Sequence, residues 1–377
     1  MLVAVEIIKR AGLAEEWRQK PGYRGWQSTL TAAPVLAEIF DMHNQKLVYG
    51  PREPIILRAR KDDSLLPLPP MRDRQRQIEA VNEMLRGIRL DLSMTGALEL
   101  QNGLWLFKRC EYDKLGNPLP VEQIVRLDRM AGRRIFTNKT RFHGRFYCPA
   151  QNIPGTARLL MTMGGEHVVE LDFQSMHVAL AYHLCGARLD GDPYEGIAGF
   201  TREQAKLGLL TCFNAKTTPA AIASLTDARK RKPVVADRKD ALRLIEALKA
   251  RHAPIASKLG RDAGMTFMNL DARIMLAAVN RLISMGIQCI PIHDSIVVPA
   301  QYESESYEAL NYGWCAILKG SRAHLTPCKI DKKRPKVSQY GCAPSDLPAG
   351  PLSDPGSGWW SSILAEARCD VGEWVSV

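Results

Sequence analysis

The chain has 377 residues, 46% hydrophobic and 24% charged, which excludes a disordered or fibrous class and allows two or three lobes around more than one core. Its net charge of +11 and pI of about 9.2 fit a polyanionic partner, because surface Lys and Arg displace counterions from phosphates. Charge alone equally fits a basic protein with no nucleic-acid role. No run approaches the ~20 apolar residues of a membrane span, and the opening MLVAVEIIKRAGLAEEW is charged too soon for a signal peptide. A cytoplasmic protein with no membrane partner is expected.

Nine cysteines form no C-x-x-C pair and stand beside no histidine at zinc-finger spacing. Several lie in apolar runs, such as Cys185 in HLCG and Cys289 in IQCI. Buried free thiols in a reducing compartment are expected.

In chain order, EPIILRAR holds the first clear strand, Pro54 to Leu57, and LPLPP (66–70) forms a joint that no helix crosses. From Met71 to Leu90 the pattern predicts a helix with Ile78, Val81, Met84, Leu85 and Ile88 on one stripe. Its other face is rich in Arg, which suits either a solvated face or direct nucleic-acid contact. LWLFKRCEY (104–112) reads as a strand and KLGNP as the turn after it. RRIFTNKTRFHGR (133–145) interleaves Phe136 and Phe142 with cations, which suits stacking on nucleic acid or an ordinary half-buried strand.

EHVVELDF (166–173) predicts a strand containing Asp172 near its end. Ser175 to Leu184 predicts a helix closed by Gly186, and Arg202 to Phe213 a second. TDARKRKPVVADRK (226–239) predicts a mobile charged loop. Helices follow over about 240–259 and 271–285, and then GIQCIPIHDSIVVP predicts two strands with His293 and Asp294 at their turn. From about Asp331 the composition predicts a loosely ordered tail.

Carboxylates at the ends of buried strands are rigid yet reach solvent. On adjacent strands, Asp172 and Asp294 would hold two divalent cations for in-line nucleotidyl transfer. Mg²⁺ suits such hard oxygen ligands, with Mn²⁺ as the alternative. Alone, each is as readily a turn residue or an N-cap. Arg202 and Lys206 share a helix face, and two neighbouring cations call for an anion such as a triphosphate. Lys206 is the candidate general acid for the leaving pyrophosphate. A solvated basic face is the plain alternative for that pair.

The order of these pieces carries a resemblance. GRFYCPAQNIP (144–154) with Arg158, ELDFQSMH (170–177), REQAKLGLLTCFN (202–214) and PIHDS (291–295) resemble, in order, motifs of DNA polymerases of the DNA polymerase I type (family A). The resemblance covers roughly residues 140–300. It implies an α+β fold of right-hand polymerase architecture, with an antiparallel palm sheet, helical fingers and thumb, and a small N-terminal module. It implies metal ligation by Asp172, Asp294 and the carbonyl of Phe173, and catalysis by these two aspartates with Lys206. Triphosphate binding falls to Arg202 and Lys206, with His177 and Asn214 beside the nucleotide. Arg145, Gln151, Asn152 and Arg158 would touch the primer–template duplex or brace the site, and His293 would lie beside the primer end.

Three departures stand out. His177 replaces the family's glutamate at the sugar 2′ position, Asn214 replaces an aromatic residue, and Ser295 replaces a glutamate. His-Asp-Ser resembles single-subunit phage-type RNA polymerases instead. The sugar is therefore left open.

The expected organisation is an accessory module over 1–70, a thumb-like helical region over 71–143, palm over 144–200 and 271–330, fingers over 201–270, and a tail over 331–377. The roughly 130 residues before the motifs leave no room for a proofreading nuclease with a full thumb. The resulting expectation is a template-dependent nucleotidyltransferase, a minimal primase-polymerase of a mobile element or prophage. Its partners would be single-stranded or primed DNA, nucleoside triphosphates and a helicase or initiator protein. A primer-extending DNA polymerase and a small RNA polymerase are the alternatives within this class. A non-catalytic nucleic-acid-binding replication accessory is the alternative outside it.

Overall fold

The structure is a computed structural model and describes residues 14–17, 29–32, 53–101, 103–112, 118–227, 233–318 and 328–333. Most of the expected N-terminal module, the centre of the charged loop at 228–232 and the tail beyond 333 lie outside these residues. Chain contacts define one unit of Met1–Lys108 with Glu122–Pro335, and a second of Arg109–Val121 with Lys336–Val377. Of the second, only strand tips at 109–112 and 118–121 are described.

The first strands are β1 (Ala14–Trp17), β2 (Thr29–Ala32) and β3 (Ile55–Arg58). Helix α1 (Arg72–Arg86) follows the Pro-rich joint and buries Ile78, Val81 and Leu85, as the stripe predicts. Asn82, also buried, is satisfied by both backbone groups of Gly132 at 3.0 and 2.8 Å. On the wet face, Arg76 and Arg86 pair with Asp73 and Glu83 one turn earlier.

After α1 the expected helical region is strand. It holds β4 (Leu90–Asp91), β5 (Leu98–Gln101), β6 (Leu104–Tyr112), β7 (Pro118–Arg126), β8 (Arg133–Thr137) and β9 (Lys139–Tyr147). Alternation of apolar and polar residues is a two-residue period, so only α1 satisfies the helical one. The RRIFT and KTRFHGRFY segments form the β8–β9 hairpin, with β3 parallel to β8. Ile55, Leu57, Ile78 and Phe136 make a common core there.

Helix α2 (Gly155–Arg158) leads to β10 (Thr162–Met163) and β11 (Glu166–Phe173). Four helices follow: α3 (Met176–Leu184), α4 (Arg202–Asn214), α5 (Thr218–Leu225) and α6 (Arg238–Arg251). Caps fix the starts of the last three, with Thr201 and Gln204 in a reciprocal capping box on α4, Thr217 on α5 and Asp237 on α6. Helix α6 stops at Arg251, short of the expected 259, because Pro254 opens a 3₁₀ turn. Helix α7 (Gly264–Ser284) begins seven residues before the expected 271.

Strands β12 (Ile290–Ile292) and β13 (Ser295–Pro299) form the expected hairpin, then come α8 (Glu303–Leu318) and β14 (Ile330–Lys333). The central sheet runs β12-β13-β11-β10-β4, with β14 also on β11, all antiparallel. Residues 331–333, expected in the tail, are thus sheet. The fold is α+β.

Cys148, Cys212, Cys289 and Cys328 are free and buried, whereas Cys185 and Cys315 are free and exposed. Cys185 caps the end of α3, where the chain turns out at Gly186, so its apolar neighbours do not cover it. No helix among the described residues is long and apolar enough to cross a membrane.

Candidate active site

Asp172 and Asp294 come together at one end of the central sheet. Asp172 pairs in register with Ser295, and the Phe173 amide donates to the Asp294 carbonyl at 3.1 Å. His293 holds the turn between β12 and β13 at φ 50°, a left-handed conformation that costs a non-glycine residue about 1 kcal/mol. Burial and then the Asp294 charge push the Asp172 carboxyl up to about 7, with Lys333 pulling the other way. The Asp294 charge beside Asp172 is one that a bound cation would offset.

Glu170, Ser295 and Lys333, from β11, β13 and β14, lie on the same face as Asp172. Glu170 lies two residues before Asp172 and is fully buried. It accepts Ser295 Oγ at 2.7 Å, Lys333 Nζ at 2.6 Å, and Arg158 Nε and Nη2 at 3.2 and 3.3 Å. Burial pushes its pKa up, but these partners outweigh burial and hold it below the ordinary value. Lys333 Nζ also lies 3.5 Å from Asp172 Oδ1. The oxygen ligands suit Mg²⁺ or Mn²⁺, and the crowded negative charge is what such an ion would relieve. Among the described residues no group of three or more His, Cys, Asp or Glu side chains converges as a metal cage. Phe173 buries its ring against Trp314 at 5.9 Å.

A second polar cluster adjoins the first. Asp271, fully buried on α7, accepts Arg145 Nε at 3.0 Å, a short bond from Arg145 Nη2, and His177 Nε2 at 2.8 Å. Burial pulls the Arg145 pKa down, but the Asp271 charge and hydrogen bond more than reverse this. Gly144 makes the close approach possible: its φ is +80°, and a Cβ there would lie 2.5 Å from the Phe136 ring. His143 is wedged between Thr137 at 3.2 Å and the Tyr147 hydroxyl at 2.9 Å, and burial followed by the Arg145 charge lowers its pKa to about 4.

Gln151 donates to the carbonyls of Phe146 and Pro291 at 3.0 and 2.9 Å, tying β9 to β12. Arg158 adds a bond to the Ile153 carbonyl at 2.9 Å. Neither side chain projects freely toward a duplex. Asn152 is exposed, and its carbonyl accepts Gln123 at 2.7 Å. The His293 ring stands edge-on to Tyr147, with centroids 5.5 Å apart. Behind it lies a cavity of about 20 Å³ lined by Arg134, Arg145, Phe146, Gln151, Pro291 and His293 among others.

No protein-family model matches this chain, and no curated protein matches it. Among solved structures it is similar to the POL domain of Pol1 from M. smegmatis, itself in complex with DNA primer-template and dNTP. The TM-score is 0.37 at 10% identity, over 54% of this chain and 47% of that one. The match thus spans about half of each chain.

On α4, Arg202 and Lys206 lie exposed on one face, but an anion already stands beside them. Asp192 accepts Arg202 Nε at 2.8 Å and pairs with its Nη2 at 2.8 Å. Its own pKa is pushed up by burial and pulled further down by the Tyr194 amide, Arg202 and Lys206. Arg202 also lies over the buried Tyr194 ring at 5.4 Å. Burial, and after it the charges of Asp192 and Asp294, push the Tyr194 pKa up. Asn214 donates to Leu210 of its own helix at 2.8 Å and packs against Gly264, where a Cβ would lie 2.2 Å from its Oδ1.

Sequence reasoning missed Asp192, Tyr194, Glu170, Asp271 and Lys333. Glu170 carried a usable signal, its period-two spacing from Asp172 in an otherwise apolar strand. Asp271 carried another, as a lone acid within the apolar MNLDARIML of α7.

Proposed function

We propose that the protein is a template-dependent nucleotidyltransferase in which Asp172 and Asp294 hold two divalent cations. The single observation that carries this reading is their juxtaposition, Asp172 near the end of β11 and Asp294 in the adjoining β12–β13 turn, with repulsion on Asp172 that a cation would relieve. The ordered motifs around them support it, and so does the net charge of +11. When bound, Mg²⁺ supplies the positive charge that favours the attacking 3′ oxygen as an anion and stabilises the leaving pyrophosphate.

The other residues take supporting roles in this reading. Arg202 exchanges Asp192 for the triphosphate, and Lys206 donates a proton to the leaving pyrophosphate. Glu170, Arg158 and Ser295 fix β11 against β13, so that the carboxylates keep their offset. Gln151 fixes the His293 turn, beside which the primer end lies. His177, held by Asp271, borders the sugar. A right-hand arrangement of palm, fingers and thumb, and a primase-polymerase role, belong to this proposal.

Purified protein given single-stranded or primed template, Mg²⁺ and separate ribo- and deoxynucleotide pools should extend a product complementary to the template. Absence of templated product with both pools and both templates overturns the reading.

A further inference from the structure

Two arginines from two elements meet at Phe136, and the charge of a third, Arg273, reaches both. Arg74 of α1 places its Cζ 5.7 Å from the Phe136 ring centroid, and Arg134 of β8 places its Cζ 4.8 Å from the same centroid. Arg273 lies exposed on α7, two residues beyond Asp271, where α7 packs against α1. Arg134 is 2% exposed and donates Nε to the Gly144 carbonyl at 2.6 Å. Among the described residues no carboxylate pairs with any of the three. Asp271 is the acid whose charge reaches Arg134, but it is already engaged by Arg145 and His177.

Like charges brought together without a counterion are costly. Burial pulls the Arg134 pKa down to about 10, and repulsion from Arg74 and Arg273 adds to this. Arg74 is lowered by burial and then by Arg273. An arrangement that raises the energy of the free protein is relieved by a bound anion.

We propose that Arg74, Arg134 and Arg273 form a phosphodiester-binding site that holds one strand of the nucleic acid on its way to or from the catalytic turn. This rests on the polymerase reading above. Arg134 lines the same small cavity as His293, which links this member of the cluster to that turn. Arg273 is exposed and Arg74 half-buried, on the two packed helices α7 and α1. Buried Arg134 reinforces their field from behind and is held by Gly144. Guanidinium forks match phosphate oxygens, whereas a carboxylate is already available in the fold and is not used here.

The test is fluorescence anisotropy of labelled primer–template DNA as a function of salt. It compares wild type with Arg74→Gln, Arg273→Gln and the double variant. Arg76→Gln, on the wet face of the same helix and paired with Asp73, is the control. Each change should weaken binding about 3- to 10-fold near 0.1 M salt and reduce the log–log salt slope by about one. Arg76→Gln should do neither. Melting curves establish that each variant is folded, which the partial exposure of Arg74 and Arg273 favours.

An unchanged affinity and slope in the double variant overturns the proposal, as does failure of the wild type to bind nucleic acid. Displacement of the duplex by millimolar inorganic phosphate at constant ionic strength would mark a free-phosphate site and overturn the polymer assignment. Arginine-dependent binding without templated synthesis would sink the polymerase reading alone. Synthesis with binding indifferent to both arginines would sink this inference alone.

Discussion

The amide of Phe173 donates to the carbonyl of Asp294 across 3.1 Å, which locks the end of β11 to the β12–β13 turn. The offset between the Asp172 and Asp294 carboxylates is therefore set by backbone pairing. Side-chain substitutions at either aspartate should leave that frame standing, which makes them clean probes of chemistry.

Ser295 is buried and donates to Glu170, so the turn has no room for a second acid. Ser295→Ala should cost about 1–2 kcal/mol, the price of one buried hydrogen bond to a charged group. Ser295→Glu, which restores the residue of the family A motif, should cost more than Ser295→Ala by urea denaturation. Equal costs would contradict the account.

His177 lies 2.8 Å from Asp271, with Arg145 on the same carboxylate. His177→Glu would bring a carboxylate against a buried one, so it should lower stability before it reveals anything about sugar choice. His177→Gln keeps a donor toward Asp271 and is the variant with which to measure the ribo/deoxy ratio. Asp271→Asn leaves Arg145 without its charge partner and should cost about 3–5 kcal/mol, as other broken buried pairs do. A Tm for Asp271→Asn equal to wild type would show that the cluster is not structural.

Much of this was legible in sequence. The Asp172 strand, the His293–Asp294 turn and the starts of α3 and α4 carry strong local signals: β-branched runs, a capping Thr and an apolar hairpin. The partners of the polar residues were not legible. Arg145 and Arg158 look like free cations along the chain, yet their carboxylates arrive from Asp271 and Glu170, 126 and 12 residues away. Alternation between 90 and 147 was readable as strand, but the Arg-rich helix before it drew the expectation toward a helical region. Lys333 was hidden by a Lys- and Pro-rich composition, although it forms the last rung of β14 on β11.

His143 gives the pH dependence a sign. Its folded pKa of about 4 lies below its ordinary 6.5, so the unfolded chain takes up a proton first. Stability from this group is full above about 6.5 and declines as pH falls toward 4. The stability difference between wild type and His143→Gln, measured by urea denaturation, should therefore shrink between pH 6.5 and 4. A difference that stays constant across this window would show that His143 is not held neutral.

Asp192 holds Arg202 where the triphosphate is proposed to bind. Exposed pairs of this kind contribute up to about 1 kcal/mol, so Asp192→Asn should lower the nucleotide KM by roughly 2- to 5-fold with kcat nearly unchanged. A raised KM would mean instead that Asp192 orients Arg202 for its substrate.

The most direct test of the central claim is Mg²⁺-dependent templated synthesis by wild type, Asp172→Asn and Asp294→Asn at equal concentration, with binding of primer–template measured in parallel. The account predicts that each substitution lowers the rate by about 10³-fold or more, as loss of a metal carboxylate does, while duplex binding persists. Synthesis at near wild-type rate in either variant would contradict it.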